Sequence, residues 1–532
     1  MLHKRIYFPL LLLLAILQCN QAFSQDQKYW VFFKDKSNTT FNPYEYFDSK
    51  AIERRIDQGI PLYDSTDFPV NTGYISSVTS LVDSVSYSSR WFNALAVYAN
   101  NEQIYAVQQL SFVSSVEPMM LFVVPANYDG GYDTTSITSY QLDILKRQTE
   151  RMGGKIFAEN NIDGKGLRIA IFDGGFPTVN TSPAFEHIRK ENRIIKTWDF
   201  AKKKEYVYSY MNHGTMVMSC IGGMIDGTKI GLATGAEFLL ARTEVRREPF
   251  SEEENWLAAV EWADKNGANI INSSLGYTYH RYFNDQMDGK TSLVVRAANK
   301  AASKGILVVN AAGNEGDNKW KYIGTPADGD SVLSVGGIQP ESDYHTSFSS
   351  FGPTSDKRMK PNVCSFGHVT AAGPKGLTTT QGTSFSSPLV AGFVACAWQT
   401  NRSLKNMELF KEIEKSADLY PYYDYAHGYG VPQASYFINM ENPETPPTFD
   451  FVNDGSSLAV VIRKEYFDSI APRPFASYNY LYYNFQNSKG VLDKYFVISV
   501  SQTDVLKFII TDIKKGEKIN VHYKKYTATY QF

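Results

Sequence analysis

The residues of this 532-residue chain with the types and spacing to do chemistry are a hydroxyl, an imidazole and a carboxylate. The hydroxyl is Ser384, in Gly382-Thr383-Ser384-Phe385-Ser386-Ser387-Pro388. A polar, Thr-rich approach at 377–381 precedes it, and a run of small and apolar residues at 389–398 follows. That run is too small and too apolar for a surface helix and reads as a buried one. Proline fits a first helical turn, where its missing N–H is not needed, so the sequence puts the helix start next to Pro388. Ser384 would then stand where a loop becomes a helix, among free backbone N–H groups and a dipole that favours negative charge. A hydroxyl attacking a carbonyl creates such charge. On this stretch alone Ser384 reads equally as a helix N-cap or as a nucleophile. A nucleophilic serine needs a base, and the base needs an orienting carboxylate.

Two residues offer those parts. Asp173 ends the apolar run Leu167-Arg168-Ile169-Ala170-Ile171-Phe172 and is followed by Gly174-Gly175. It reads either as a turn aspartate or as a carboxylate held by loop N–H groups at a crevice. His213 lies in Asn212-His213-Gly214-Thr215 at the start of an apolar helix and is one of eight histidines. A structural histidine and a base are both open readings; the adjacent glycine admits close approach of other groups.

The elements that must position these residues alternate. Strands are expected at 167–172, 238–241, 269–273, 306–312 and 331–335, with helices from 213, at 252–265 and at 292–303. This βαβα order implies an α/β unit, a parallel sheet covered by helices on both faces. Function in such sheets gathers at the carboxyl ends of the strands.

Taken together, the candidates run Asp, His, Ser along the chain, and the sequence resembles the subtilisin-like serine peptidases (S8 family). The matching stretches are IFDGG around Asp173, NHGTMV around His213, NSSLG at 272–276, NAAGNEG at 310–316 and GTSFSSPLVAG at 382–392. The resemblance implies a subtilisin-like fold and catalytic roles for Asp173, His213 and Ser384. It implies an oxyanion-hole role for Asn314 and substrate-binding roles for Ser273, Leu275, Gly276, Ala311 and Gly313. There are departures. Gly174 follows the aspartate where relatives often carry a hydroxyl or another small residue, and Met216 stands where many have a second histidine. The charged stretch 244–255 lies where the family lines its cleft, although a charge run usually reads as a solvated face. The resemblance makes structural calcium possible; no dense carboxylate loop assigns it, and no CxxC or His-rich spacing suggests another metal or cofactor.

Around this unit, 146–437, the sequence suggests further pieces. Residues 1–24 read as a signal peptide, with His3, Lys4 and Arg5 ahead of the apolar run 6–17 and small residues at Ala22 and Ser24. Export to a secreted, periplasmic or cell-surface location follows from that reading. Residues 25–124 alternate strands and helices as a small α+β domain, where the family carries an inhibitory propeptide. Helix 48–58 in it carries adjacent arginines, Arg54 and Arg55. Polar residues 125–145 read as an exposed linker and processing region. The Pro-rich stretch 438–448 is a second break, and 449–532 alternates as a small all-β sandwich. Lys+Arg of 53 against Asp+Glu of 55 argues against a nucleic-acid partner, and no stretch beyond the signal peptide is apolar enough for a transmembrane segment. Cys220, Cys364 and Cys396 are an odd number beyond position 24, so at least one stays unpaired within the chain.

The expected function is thus a secreted serine endopeptidase made as a zymogen. Its partners would be protein or peptide substrates, with its own propeptide as intramolecular inhibitor. A catalytically dead peptidase-fold binding or scaffold protein is the alternative. An esterase of another fold would want Gly-x-Ser-x-Gly, with aspartate and histidine after the serine, and the order here is the reverse.

Overall fold

The computed structural model describes residues 27–119, 138–245, 251–278, 281–439, 445–466, 479–500 and 505–532. The expected signal peptide and residues 125–137 of the expected linker lie outside them. The chain divides into two compact units, Met1–Phe41 with Tyr63–Leu121, and Asn42–Leu62 with Phe122–Phe532.

The first unit is a four-stranded antiparallel sheet in the order Ser84–Ser89, Ala94–Ala99, Gln27–Phe33, Val113–Met119. Alternate residues of its strands, such as Tyr29, Val31 and Phe33 or Leu95 and Val97, share one core with Val78 and Val107 from the helices Thr72–Thr79 and Asn101–Gln108. Asn100 caps the latter helix in a reciprocal box with Gln103. The segment 42–62 falls outside this unit, although the sequence places it within 25–124. Its helix Ser49–Asp57 carries Arg54 and Arg55, whose guanidinium groups are buried against Asp264 of the second unit. A pairing across some two hundred positions leaves no local signature.

The second unit is built on a seven-stranded parallel sheet. Its order is Val363–Phe366, Val332–Ile338, Leu307–Ala311, Ile270–Ser273, Arg168–Asp173, Glu237–Arg242, Ile194–Asp199. Apart from the edge strand Ile194–Asp199, which is partly exposed, the strands are buried on both faces, which is why they read as continuous apolar runs. Ile169 and Ile171 face one way, into a core shared with the helices His213–Gly222 and Thr383–Thr400. Phe172 faces the other way, edge-on to Trp256 of the helix Ser251–Lys265. The strand order reverses at Arg168–Asp173. From there the chain first builds toward Ile194–Asp199 and then returns to add Ile270–Ser273 on the opposite side. A crevice therefore opens between the carboxyl ends of these two strands.

Three local expectations change. Residues 139–145 are not linker but the first half of the helix Ser139–Glu150, capped by Thr138 and Gln141 and buried through Ile144 and Leu145. Residues 246–250 of the charged stretch lie outside the described residues, and its part at 252–255 is not a solvated face. Glu252, Glu253 and Glu254 are buried in the first turn of their helix, with Arg281 against Glu252 and Glu253 and the Tyr282 hydroxyl donating to Glu253. Finally, the helix of Ser384 begins at Thr383, so Pro388 lies in its second turn rather than its first.

Beyond residue 448 the chain is all β. A three-stranded sheet, Phe449–Asn453, Ser457–Ile462 and Val505–Ile509, faces a four-stranded one, Leu492–Ser499, Tyr480–Gln486, Lys518–Tyr523 and Tyr526–Gln531. Leu458 and Val460 from one share a core with Leu481, Ile519 and Val521 from the other. Tyr480–Gln486 escaped the sequence reading because its contiguous aromatic residues do not alternate. Among the described residues no helix is long and apolar enough to cross a membrane.

Candidate active site

Asp173 is the last residue of its strand, has no exposed side-chain surface, and accepts a hydrogen bond from the Gly174 N–H at 2.7 Å. His213 is the first residue of its helix. Its Nδ1 lies 2.9 and 3.0 Å from the two Asp173 oxygens, and its side chain stays 15% exposed. Burial works against the imidazolium here. The Asp173 charge and hydrogen bond outweigh it and hold the His213 pKa above its ordinary value of 6.5. Nδ1 therefore carries the proton toward Asp173, and Nε2 is the ring atom left for other work.

Backbone contact makes this geometry possible. A Cβ on Gly214 would stand 2.4 Å from the Gly175 carbonyl oxygen and 2.9 Å from the Asp173 Cβ. Only glycine lets the helix start approach the strand end so closely. At Gly174 the constraint is softer, since an added Cβ would meet the terminal methyl of the flexible Met211 side chain at 1.9 Å. Met216 is buried in the core.

Ser384 is the second residue of its helix and half-buried. Its hydroxyl donates to the Ser274 carbonyl at 3.3 Å, while the Ser274 hydroxyl donates back to the Ser384 carbonyl at 2.8 Å. The second bond follows from Pro388. A proline has no N–H for the carbonyl four residues earlier, which is that of Ser384. The freed acceptor takes the Ser274 hydroxyl and ties the helix start to the end of the strand Ile270–Ser273. The Phe385 ring packs against the His213 ring, with centroids 5.3 Å apart.

Asn314 faces the same cleft from the loop after Leu307–Ala311. Its side-chain oxygen accepts from both the N–H and the hydroxyl of Thr383, each at 2.9 Å. With the oxygen pinned, the Nδ2 donor is turned away from Thr383. Thr383 in turn accepts from the Gly313 N–H at 3.2 Å.

His213, Ser384 and Asn314 all line one cleft of about 580 Å³, together with Ser274, Leu275, Gly276, Ala311 and Gly313. Ser273 is not on its wall. That side chain is buried and accepts from the Trp256 indole N–H at 3.0 Å. Ser274 and Thr383 are the site residues that the sequence reading passed over. The signal for each was adjacency, Ser274 to the strand end and Thr383 to Ser384. Glu244 and Glu252 also border the cleft. Among the described residues no three His, Cys, Asp or Glu side chains gather to hold a metal ion, so no calcium ligand set is assigned.

An imidazole backed by a buried carboxylate, with a hydroxyl and an amide donor lining the same cleft, can carry out acyl transfer by nucleophilic attack. Comparison with known proteins agrees. The model of the Subtilase family of peptidases matches residues 164–430, and the model of the Peptidase S8 propeptide domain, Bacteroidota, matches residues 28–127. The chain is similar to the thermophilic serine proteinase of Bacillus sp. (strain AK1), 27% identical over 336 residues, 62% of this chain and 73% of that protein. Subtilisin DY of Bacillus licheniformis is 29% identical over 256 residues, 48% of this chain and 84% of that protein. Subtilisin NAT of Bacillus subtilis subsp. natto is 32% identical over 261 residues, 48% of this chain and 61% of that protein.

Gly214→Ala is expected to destabilise the fold by about 1–3 kcal/mol, because backbone and not a mobile side chain blocks the added methyl. Gly276→Ala, whose methyl would meet nothing within 4 Å, is the control and should leave the unfolding midpoint unchanged. Urea unfolding of the two variants makes the comparison.

Proposed function

Since the chain belongs to the subtilase family and is a serine endopeptidase with a propeptide domain, we propose that Asp173, His213 and Ser384 are its catalytic triad. We infer further that it is an exported enzyme made as a zymogen. The observation that carries the triad is His213 held on Asp173 in the cleft that also contains Ser384 and the free donor of Asn314.

In this mechanism Ser384 Oγ attacks the carbonyl carbon of the substrate peptide bond while His213 Nε2 takes the hydroxyl proton. The carbonyl oxygen gains the negative charge. Asn314 Nδ2 and the Ser384 N–H, a first-turn amide with no intrahelical partner, receive it. The intermediate collapses as the C–N bond breaks, and His213 returns the proton to the leaving amine. That leaves an acyl-enzyme ester on Ser384. Water, deprotonated by the same imidazole, attacks the ester and restores the hydroxyl. Asp173 keeps the tautomer fixed and balances the imidazolium charge. Leu275, Gly276, Ala311 and Gly313, with Ser274 in the place first given to Ser273, are the wall along which an extended substrate backbone would lie.

The Ser384 hydroxyl resting on the Ser274 carbonyl is the feature that favours an inert binding protein instead. A rotation about χ1 redirects that hydroxyl. Hydrogen bonds of this kind are commonly loose before substrate arrives.

The export reading rests on residues 1–24, and the zymogen reading on the propeptide match at 28–127. Purified Ser384→Ala protein should remain an uncut full-length chain while the parent is processed; a variant that matures normally without added protease contradicts self-processing. Asn314→Ala should lower kcat by about a hundred- to thousandfold, the loss known for the corresponding donor of a subtilisin, with KM little changed. The pH profile gives a third check. Protonation removes the base, so kcat/KM should fall on the acid side with a pKa above 6.5. An acid limb at or below that value contradicts the pairing of His213 with Asp173.

A further inference from the structure

The segment 42–62 interrupts a unit that does not need it. Phe33 before it and Val70 after it lie in one hydrophobic core, and the four strands and two helices of that unit are complete without it. What the segment completes is the second unit. Arg54 Nε donates to the Lys304 carbonyl at 3.1 Å, and its Nη groups donate to the Ala268 carbonyl and the Asp264 carboxylate. Arg55 Nη2 reaches the other Asp264 oxygen at 2.7 Å, and its guanidinium stacks over Phe47 at 4.1 Å. Both arginines are 1% exposed and Asp264 is 2% exposed. One guanidinium thus satisfies carbonyls just past the ends of two helices, Ser251–Lys265 and Leu293–Ser303.

The backbone is shaped to match. Gly267 and Gly305 follow these two helices with φ of +75° and +84°. A Cβ on Gly267 would meet the Lys50 Cβ at 2.6 Å, and one on Gly305 would meet the Gln58 Cγ at 2.6 Å. At the two ends of the segment's helix, the Asp48 N–H donates to the Lys265 carbonyl and the Gln58 side chain accepts from the Asn406 N–H. All of these partners precede strands or helices at the amino edge of the parallel sheet. The cleft lies at the other edge, roughly 13 Å away by the length of a four-residue strand alone.

We propose that residues 42–62 are a permanent clamp of the catalytic unit. Once the linker is cut, the N-terminal region stays attached as a second chain of the mature enzyme instead of being discarded. The proposal rests on the reading that the linker is a processing region, and it deepens the role of the propeptide. The clamp grips at the pole opposite the cleft, so vacating the cleft and releasing the clamp are separate events. A propeptide can then stop inhibiting without leaving.

The test uses the full chain carrying Ser384→Ala, with the recognition sequence of an unrelated protease inserted between residues 125 and 137 and cut to completion. Its outcome depends neither on self-processing nor on the identity of the nucleophile. The two pieces should co-elute on size exclusion even at about 1 M NaCl, because buried ion pairs are screened far less than exposed ones. The amides of 49–57 should stay protected from hydrogen exchange. Adding Arg54→Ala with Arg55→Ala should raise the dissociation constant of the pieces by at least about a hundredfold, since Asp264 is left buried and unpaired. Separation of the pieces with the arginines intact overturns the proposal. So does a folded double variant that holds as tightly as its parent. If the double variant does not fold, exchange in the parent decides, and free exchange of 49–57 in the cut, co-eluting complex overturns the clamp.

Discussion

Everything at the cleft depends on one constraint. A helix start must touch a strand end closely enough for an imidazole to share a buried carboxylate. The Asp173 carboxylate has no solvent contact, so its charge is tolerated only because the Gly174 N–H and the His213 ring answer it. The ring reaches it only because Gly214 carries no Cβ. The order of the sheet does the rest. It places the end of the Asp173 strand beside the end of the Ile270–Ser273 strand, and the Ser384 helix is tied to that second strand end by paired hydrogen bonds with Ser274.

A backbone defect is part of the design. Pro388 deprives the second turn of its helix of one hydrogen bond, and the acceptor left over is the carbonyl of Ser384. The Ser274 hydroxyl fills the vacancy. A cost inside the helix thereby becomes a link between the helix start and the strand end. Asn314 is oriented in a comparable way, since Thr383 holds its oxygen from two sides and so decides which end of the amide meets the cleft.

Much of this was legible in the chain because the informative residues sit at boundaries. Asp173, His213 and Ser384 each mark a strand end or a helix start, and fully buried strands such as Arg168–Asp173 and Leu307–Ala311 announce themselves as apolar runs. Pairings across distance were not legible. Glu252, Glu253 and Glu254 read as a solvated face because Arg281, which pairs with the first two, lies in a separate loop. Arg54 and Arg55 read as an ordinary basic pair on a helix because Asp264 is some two hundred residues away. Ser273 and Ser274 differ only in which face of the backbone they occupy. One residue of register sends the first to Trp256 and the second to the cleft. The Tyr480–Gln486 strand was hidden because its aromatic residues do not alternate and Asn484, buried against the Tyr423 carbonyl, breaks the apolar run.

The second unit therefore has two poles, each built around a buried aspartate. Asp173 at the carboxyl edge is paired with an imidazole that can give up its charge. Asp264 at the amino edge is paired with guanidinium groups that cannot. The first suits proton transfer and the second suits permanence. Whether the first pole is a working nucleophilic centre is read by intact-mass analysis after treatment with a fluorophosphonate. A single covalent adduct should map to Ser384 and form ever more slowly as the pH falls below the His213 pKa. An adduct on another residue, or no adduct at any pH on folded mature protein, would contradict it.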